Sequence, residues 1–101
     1  MIYDKYEMAV LYRLSMGPRS VSELYCNISQ KRKLDDMFDA ELIHVTPAGI
    51  DLTYTGDLVF KQLLGIAKAL GSVDYIDESA HIDKMNRRRR EYMQSVYHSR
   101  R

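Results

Sequence analysis

From Asp4 to Ser15 the apolar positions Tyr6, Val10 and Leu14 recur every fourth residue, and Leu11 widens the stripe. That spacing belongs to one face of a helix. Met16-Gly17-Pro18 ends it, because glycine permits a left-handed cap and proline cannot continue a helix. Ser20-Val21-Ser22-Glu23 has the form of a capping box and predicts a short second helix running to about Cys26. Asn27 suits the turn that follows. Ser29 is a second cap candidate, opening a third helix from Gln30 to about Ala40 with Leu34, Met37 and Phe38 as its inner stripe. The period then changes from helical to alternating. Ile43 and Val45, then Ile50 and Leu52, flank the turn residues Pro47-Ala48-Gly49, which predicts a β-hairpin. Thr53 caps a fourth helix, Tyr54 to Leu70, stopped by Gly71. Gly71-Ser72-Val73-Asp74 reads as a hinge, and Tyr75 to Tyr97 as a further helix-prone segment.

The order helix, helix, helix, hairpin, helix predicts a fold that is mainly α with a small β-hairpin. It is the order of a winged helix-turn-helix, assigned to residues 1–71, followed by a basic C-terminal helix or arm over residues 72–101. The fourth helix is apolar over an unusually wide arc. Val59, Leu63, Ile66 and Leu70 form one stripe, and Phe60, Leu64 and Ala67 form its neighbour. One stripe serves the core. The second would leave apolar surface exposed on a monomer, so Phe60, Leu64 and Ala67 are expected at a homodimer interface. The sparser stripe of the last segment, Ile82, Met85, Tyr92 or Met93, and Val96, is too polar to fold alone and is expected to pair with a copy of itself. Arg89 falls on that stripe and interrupts it.

Composition fits one domain with a modest core: 101 residues, 46% of them apolar. No apolar run approaches the length of a membrane span, and no basic start followed by an apolar stretch marks a secretory signal. A cytoplasmic protein without a membrane partner is the expectation, whether in a cell or in the host of a virus. The single cysteine, Cys26, excludes an internal disulfide.

The net charge of +1 conceals an asymmetry. Residues 84–101 hold Lys84, six arginines and one acid, Glu91, for a net +6, so the rest of the chain carries −5. A basic tail on an acidic body suits an anionic partner. A second basic cluster, Gln30-Lys31-Arg32-Lys33, opens the third helix, where cations oppose the helix dipole, and the acids Asp35, Asp36, Asp39 and Glu41 follow it. Two readings account for this inverted polarity. Either the first turn faces phosphates and base edges of DNA, or Lys31 pairs with Asp35 and Lys33 with Asp36 along the helix. The first makes Ser29, Gln30, Lys31, Arg32 and Lys33 DNA-contacting residues, with Arg19 and Ser20 on phosphate. Arg87, Arg88 and Arg90 of the tail add an electrostatic footprint. The wing, Thr46 to Asp51, has no cation to enter a minor groove.

Enzyme chemistry finds no support in the residue inventory. His44, His81 and His98 lack metal-ligand spacing, no glycine-rich loop follows a strand, and no nucleophile has a recognisable partner, so no catalytic residue, metal or cofactor is expected.

Tyr25-Cys26-Asn27-Ile28-Ser29 before a helix, then Glu41-Leu42-Ile43, then Leu52-Thr53-Tyr54-Thr55-Gly56, resembles archaeal winged-helix proteins. These carry a Tyr-x-x-Asn-Leu-Ser lead-in to the recognition helix and a Leu-Thr-x-x-Gly lead-in to the last helix. The resemblance spans roughly residues 5–70. Leu-Thr-x-x-Gly is shared by many winged-helix regulators, and Asn-Ile-Ser is the more distinctive signal. Some members are small chromatin-type proteins that dimerise through a C-terminal coiled coil, and archaeal viruses and plasmids encode similar regulators. The resemblance implies that the Gln30–Lys33 turn reads DNA and that residues after Leu58 build a dimer. Two departures stand out. Chromatin-type members are strongly basic whereas this body is acidic, which disfavours sequence-blind coating of DNA. Gly71-Ser72 also breaks the last helix. The function expected is therefore sequence-preferring binding of double-stranded DNA by a dimeric transcription regulator. The alternative is a protein-interaction module that uses the winged-helix scaffold to inhibit or bridge a protein partner.

Overall fold

The computed structural model describes residues 3–99, with side chains as far as Val96. Arg100 and Arg101 of the basic tail, and the side chain of His98, lie outside the described residues.

Helix α1 spans Lys5–Ser15 and is capped by Asp4, whose carboxylate accepts the Glu7 N–H at 2.9 Å. It is the central element. Tyr6, Met8, Ala9, Val10, Leu11 and Leu14 are all buried, so its apolar surface extends well beyond the single stripe that periodicity suggests. The Tyr6 hydroxyl donates to the Leu24 carbonyl at 2.7 Å, which fixes the segment that follows.

That segment is a single 3-10 turn, Val21–Glu23, not an α-helix reaching Cys26. The box residues do interact: Glu23 Oε1 accepts from the Ser20 N–H at 3.3 Å and from the Ser20 hydroxyl at 2.7 Å. Leu24 alone is fully buried here, and one anchoring side chain does not propagate a helix. Helix α2 spans Ile28–Asp39, and its cap is Asn27 rather than Ser29; Asn27 Oδ1 accepts the Gln30 N–H at 2.8 Å. At the far end Glu41 adopts a left-handed conformation (φ 59°), and Leu42 N–H bonds back to the Met37 carbonyl.

Strands β1 (Ile43–Thr46) and β2 (Gly49–Leu52) pair antiparallel, with Val45 opposite Ile50 and Thr46 opposite Gly49 across the Pro47-Ala48 turn. Arg19 adds a one-residue bridge on the other edge of β2, exchanging hydrogen bonds with Ile50 at 3.0 and 2.7 Å. Helix α3 runs Tyr54–Leu70 as expected. Thr53 caps it, and Gly71 (φ 67°) ends it. Helix α4 spans Asp74–Ser99.

The architecture is helix-rich and winged-helix-like, with a small two-stranded hairpin. Its core changes two expectations. Tyr75 and Ile82 of α4 belong to the same buried cluster as α1, α2 and the hairpin. The first half of α4 is therefore integral to the domain, and the turn at Gly71 joins two packed helices rather than separating residues 1–71 from an arm. Phe60 and Ile82 are core residues, closed to a partner, and Leu64 and Ala67 are half-buried against that core. The surface that α3 leaves open carries Leu58, Ile66 and Leu70 instead. Of the α4 stripe, Met85 and Tyr92 are exposed and Val96 is half-buried.

Candidate nucleic-acid interface

Helix α2 follows the turn Cys26-Asn27, and its outward face is formed by Ile28, Ser29, Arg32, Asp35, Asp36 and Asp39, all exposed. The face is neutral to basic in the first two turns and acidic beyond. Only its N-terminal end can approach a polyanion without like-charge repulsion.

The other cations at this end are engaged within the chain. Lys31 pairs with Asp35 at 2.6 Å, as the intrahelical reading requires. Lys33 pairs with Asp4, not with Asp36. The contact holds the Lys33 ammonium above its usual value and, against the opposing push of burial, holds the Asp4 carboxyl below its own. Gln30 is buried: its Oε1 accepts from the Cys26 N–H at 2.9 Å and the Cys26 Sγ at 3.2 Å, while its Nε2 donates to Glu78 of α4 at 3.1 Å. The inverted polarity of α2 is thus compensated by Asp35, Asp4 and Glu78. Gln30 is closed off by Cys26 and Glu78, while Lys31 and Lys33 stay partly exposed with ion pairs to Asp35 and Asp4. Ser29 and Arg32 remain open.

Helix α4 reaches the 3-10 turn that precedes α2. Asn86 Nδ2 donates to the Ser22 carbonyl at 3.2 Å, seating α4 on the 3-10 turn. Directly beyond this anchor Arg87, Arg88, Arg89 and Arg90 are all exposed. Burial pushes the Cys26 thiol up; the charge of Glu78 adds to that shift and the charge of Arg89 opposes it. The basic segment begins at the anchor of α4 on the 3-10 turn that precedes α2. Arg19 and Arg87 both act on Asp83, whose carboxyl is held low chiefly by Arg13. Arg19 is half-buried and paired with Glu23 at 3.4 Å, and Ser20 is exposed. Asn86, the residue that sets this juxtaposition, was not among the expected site residues; its only sequence signal is a polar residue at helical spacing from Tyr75, Ser79 and Ile82.

Among the described residues no group of three or more His, Cys, Asp or Glu side chains is arranged to hold a metal ion. No helix there is long and apolar enough to cross a membrane. No protein-family model, curated protein or solved structure matches the chain.

Proposed function

We propose that the chain is a sequence-preferring, double-stranded DNA-binding protein, a homodimeric transcription regulator working in the cytoplasm. One observation supports this most: the Asn86–Ser22 anchor places the start of a block of four exposed arginines at the 3-10 turn that precedes α2. Phosphate contact by Arg87, Arg88, Arg89 or Arg90 positions the protein, while Ser29 and Arg32, at the open end of α2, face the groove. Four successive helical residues point about 100° apart, so two or three of the arginines can reach one duplex together. Lys31 and Lys33 are structural in this reading.

The test is a triple substitution, Arg87→Gln, Arg88→Gln and Arg90→Gln, assayed by fluorescence anisotropy on a labelled duplex. Loss of two or three phosphate contacts should weaken binding by at least tenfold at low salt and reduce the salt slope by about two. Wild-type affinity and slope in this variant would remove the tail from the account. The alternative, a module that engages a protein partner, draws on the exposed Val45 and Tyr54 beside the uncharged end of the wing and on the acidic half of α2.

A further inference from the structure

Ile28, the first residue of α2, is 73% exposed. The buried positions of this helix are Gln30, Leu34 and Met37, and at about 100° per residue Ile28 lies nearly opposite them. It shares the outward line with Arg32, Asp35 and Asp39, and every other exposed member of that face is polar. Packing within the chain therefore does not account for a β-branched apolar side chain here. The side chain is also firmly placed. Asn27 accepts the Gln30 N–H through its side chain at 2.8 Å and the Lys31 N–H through its carbonyl at 3.0 Å, which fixes the turn that carries Ile28. A single exposed isoleucine is ordinary on a protein surface. Its position gives this one meaning, because Ile28 stands beside Ser29 and Arg32 at the end of α2 that a polyanion can approach, with Asp35 and Asp39 repelling phosphate further along the same line.

We propose that Ile28 is a specificity residue that reads the 5-methyl group of a thymine in the major groove. The assignment rests on the DNA-binding reading above and adds to it the base chemistry that the end of α2 recognises. Three open side chains stand at that end, and they differ in what they can read. The Arg32 guanidinium matches the paired acceptors of guanine, and the Ser29 hydroxyl hydrogen-bonds to more than one base. Neither recognises a methyl group. The thymine methyl is the one apolar group that base pairs present in the major groove, and the minor groove has no counterpart to it. An aliphatic side chain, with no hydrogen-bonding atom of its own, has nothing else there to distinguish one pair from another. Burying it against a methyl also removes both apolar surfaces from water, which a phosphate or sugar contact would not do. The preferred duplex should therefore carry an A·T pair under the first turn of α2.

The test uses a duplex enriched from a random pool by the full chain, then resynthesised with uracil replacing thymine at one position at a time. Uracil lacks only the methyl group. Fluorescence anisotropy should find a thymine whose replacement weakens wild-type binding by about fourfold, the worth of one buried methyl. Ile28→Ser should bind the thymine duplex about fourfold less tightly than the wild type and should not distinguish thymine from uracil at that position. Its far-ultraviolet helix signal should be unchanged, because Ile28 is outside the core. A wild type indifferent to every methyl, or an Ile28→Ser variant that keeps the wild-type dependence on the methyl, would overturn the assignment and leave DNA binding in place. Failure of the full chain to enrich or bind any duplex would overturn the DNA-binding reading itself, and this assignment with it.

Discussion

Arg13 is the residue on which the seating of α4 turns. Its side chain is 1% exposed, a cost that only close partners offset. Nη1 donates to the Ser79 carbonyl at 3.2 Å and the Ser79 hydroxyl at 3.3 Å, and Nη2 lies 2.6 Å from the Asp83 carboxylate, while Nε has no hydrogen-bond partner among the described residues. Removing the half-exposed acid leaves a buried guanidinium short of its counter-charge, so Asp83→Ala should lower stability by about 1–3 kcal/mol in urea titration. Arg13→Met removes the buried charge and keeps the bulk, and should cost less than Asp83→Ala. The order of these two variants checks the assignment. The pair also sets an acid limit. Arg13 holds the Asp83 carboxyl low, outweighing the upward push of burial. A depressed folded-state pKa contributes stability that is present above the unfolded value, near 3.9, and is lost as pH falls through the folded one. α4 should therefore loosen from α1 below about pH 4. The near-ultraviolet dichroism of the Tyr12–Tyr75 edge-to-face pair, 5.3 Å between ring centres, should report it, and Asp83→Asn should flatten the response.

At the scale of elements, α3 shows why some features were legible in sequence. Its ends are written in local chemistry. Thr53 Oγ1 accepts the Gly56 N–H at 2.9 Å, and the Thr53 N–H donates to the Leu42 carbonyl at 3.1 Å. Gly56 follows because a β-carbon there would stand 1.9 Å from the Leu42 oxygen. The Leu-Thr-x-x-Gly pattern is thus a joint between α3 and the β1 end of the hairpin, and says little about what the protein binds. Gly56→Ala should cost about 3 kcal/mol, because backbone must move to admit it. Gly71→Ala, left-handed but with nothing within 4 Å, should cost only about 1–2 kcal/mol. Thermal denaturation of both variants checks the difference. The misplacements have an equally physical origin. Asn27 and Ser29 are both good caps two residues apart, and exposed Ile28 supplies no periodicity to choose between them. Periodicity orders the stripes of a broadly apolar helix without saying which one faces inward, and in the fold it is Phe60, Leu64 and Ala67 that turn toward the core. The partners of Gln30 and Lys33 are 48 and 29 residues away, and local charge patterning does not reach that far.

At the scale of the whole molecule, charge and shape are aligned. The chain extends 52 Å along its longest axis and 23 Å along its shortest. The first half of α4 carries Asp74, Asp77, Glu78 and Asp83 within the domain, and the second half carries the four arginines beyond the Asn86 anchor. An arm cut after Ala80 would forfeit Ile82 and with it part of the core, whereas a cut after Asn86 keeps Ile82 and removes the basic block with the end of α4. The shortened chain should fold, keep its preference among duplexes and lose affinity for all of them. DNA binding itself is tested most directly by the equilibrium binding of the full chain to specific and scrambled duplexes across a salt series. With three or four phosphates neutralised, the logarithm of the binding constant should fall with the logarithm of salt at a slope of about −3 to −4, in parallel for the two duplexes and with the specific one bound more tightly. A flat salt dependence, or no duplex binding at low salt, would contradict the account and leave the winged-helix scaffold to a protein partner.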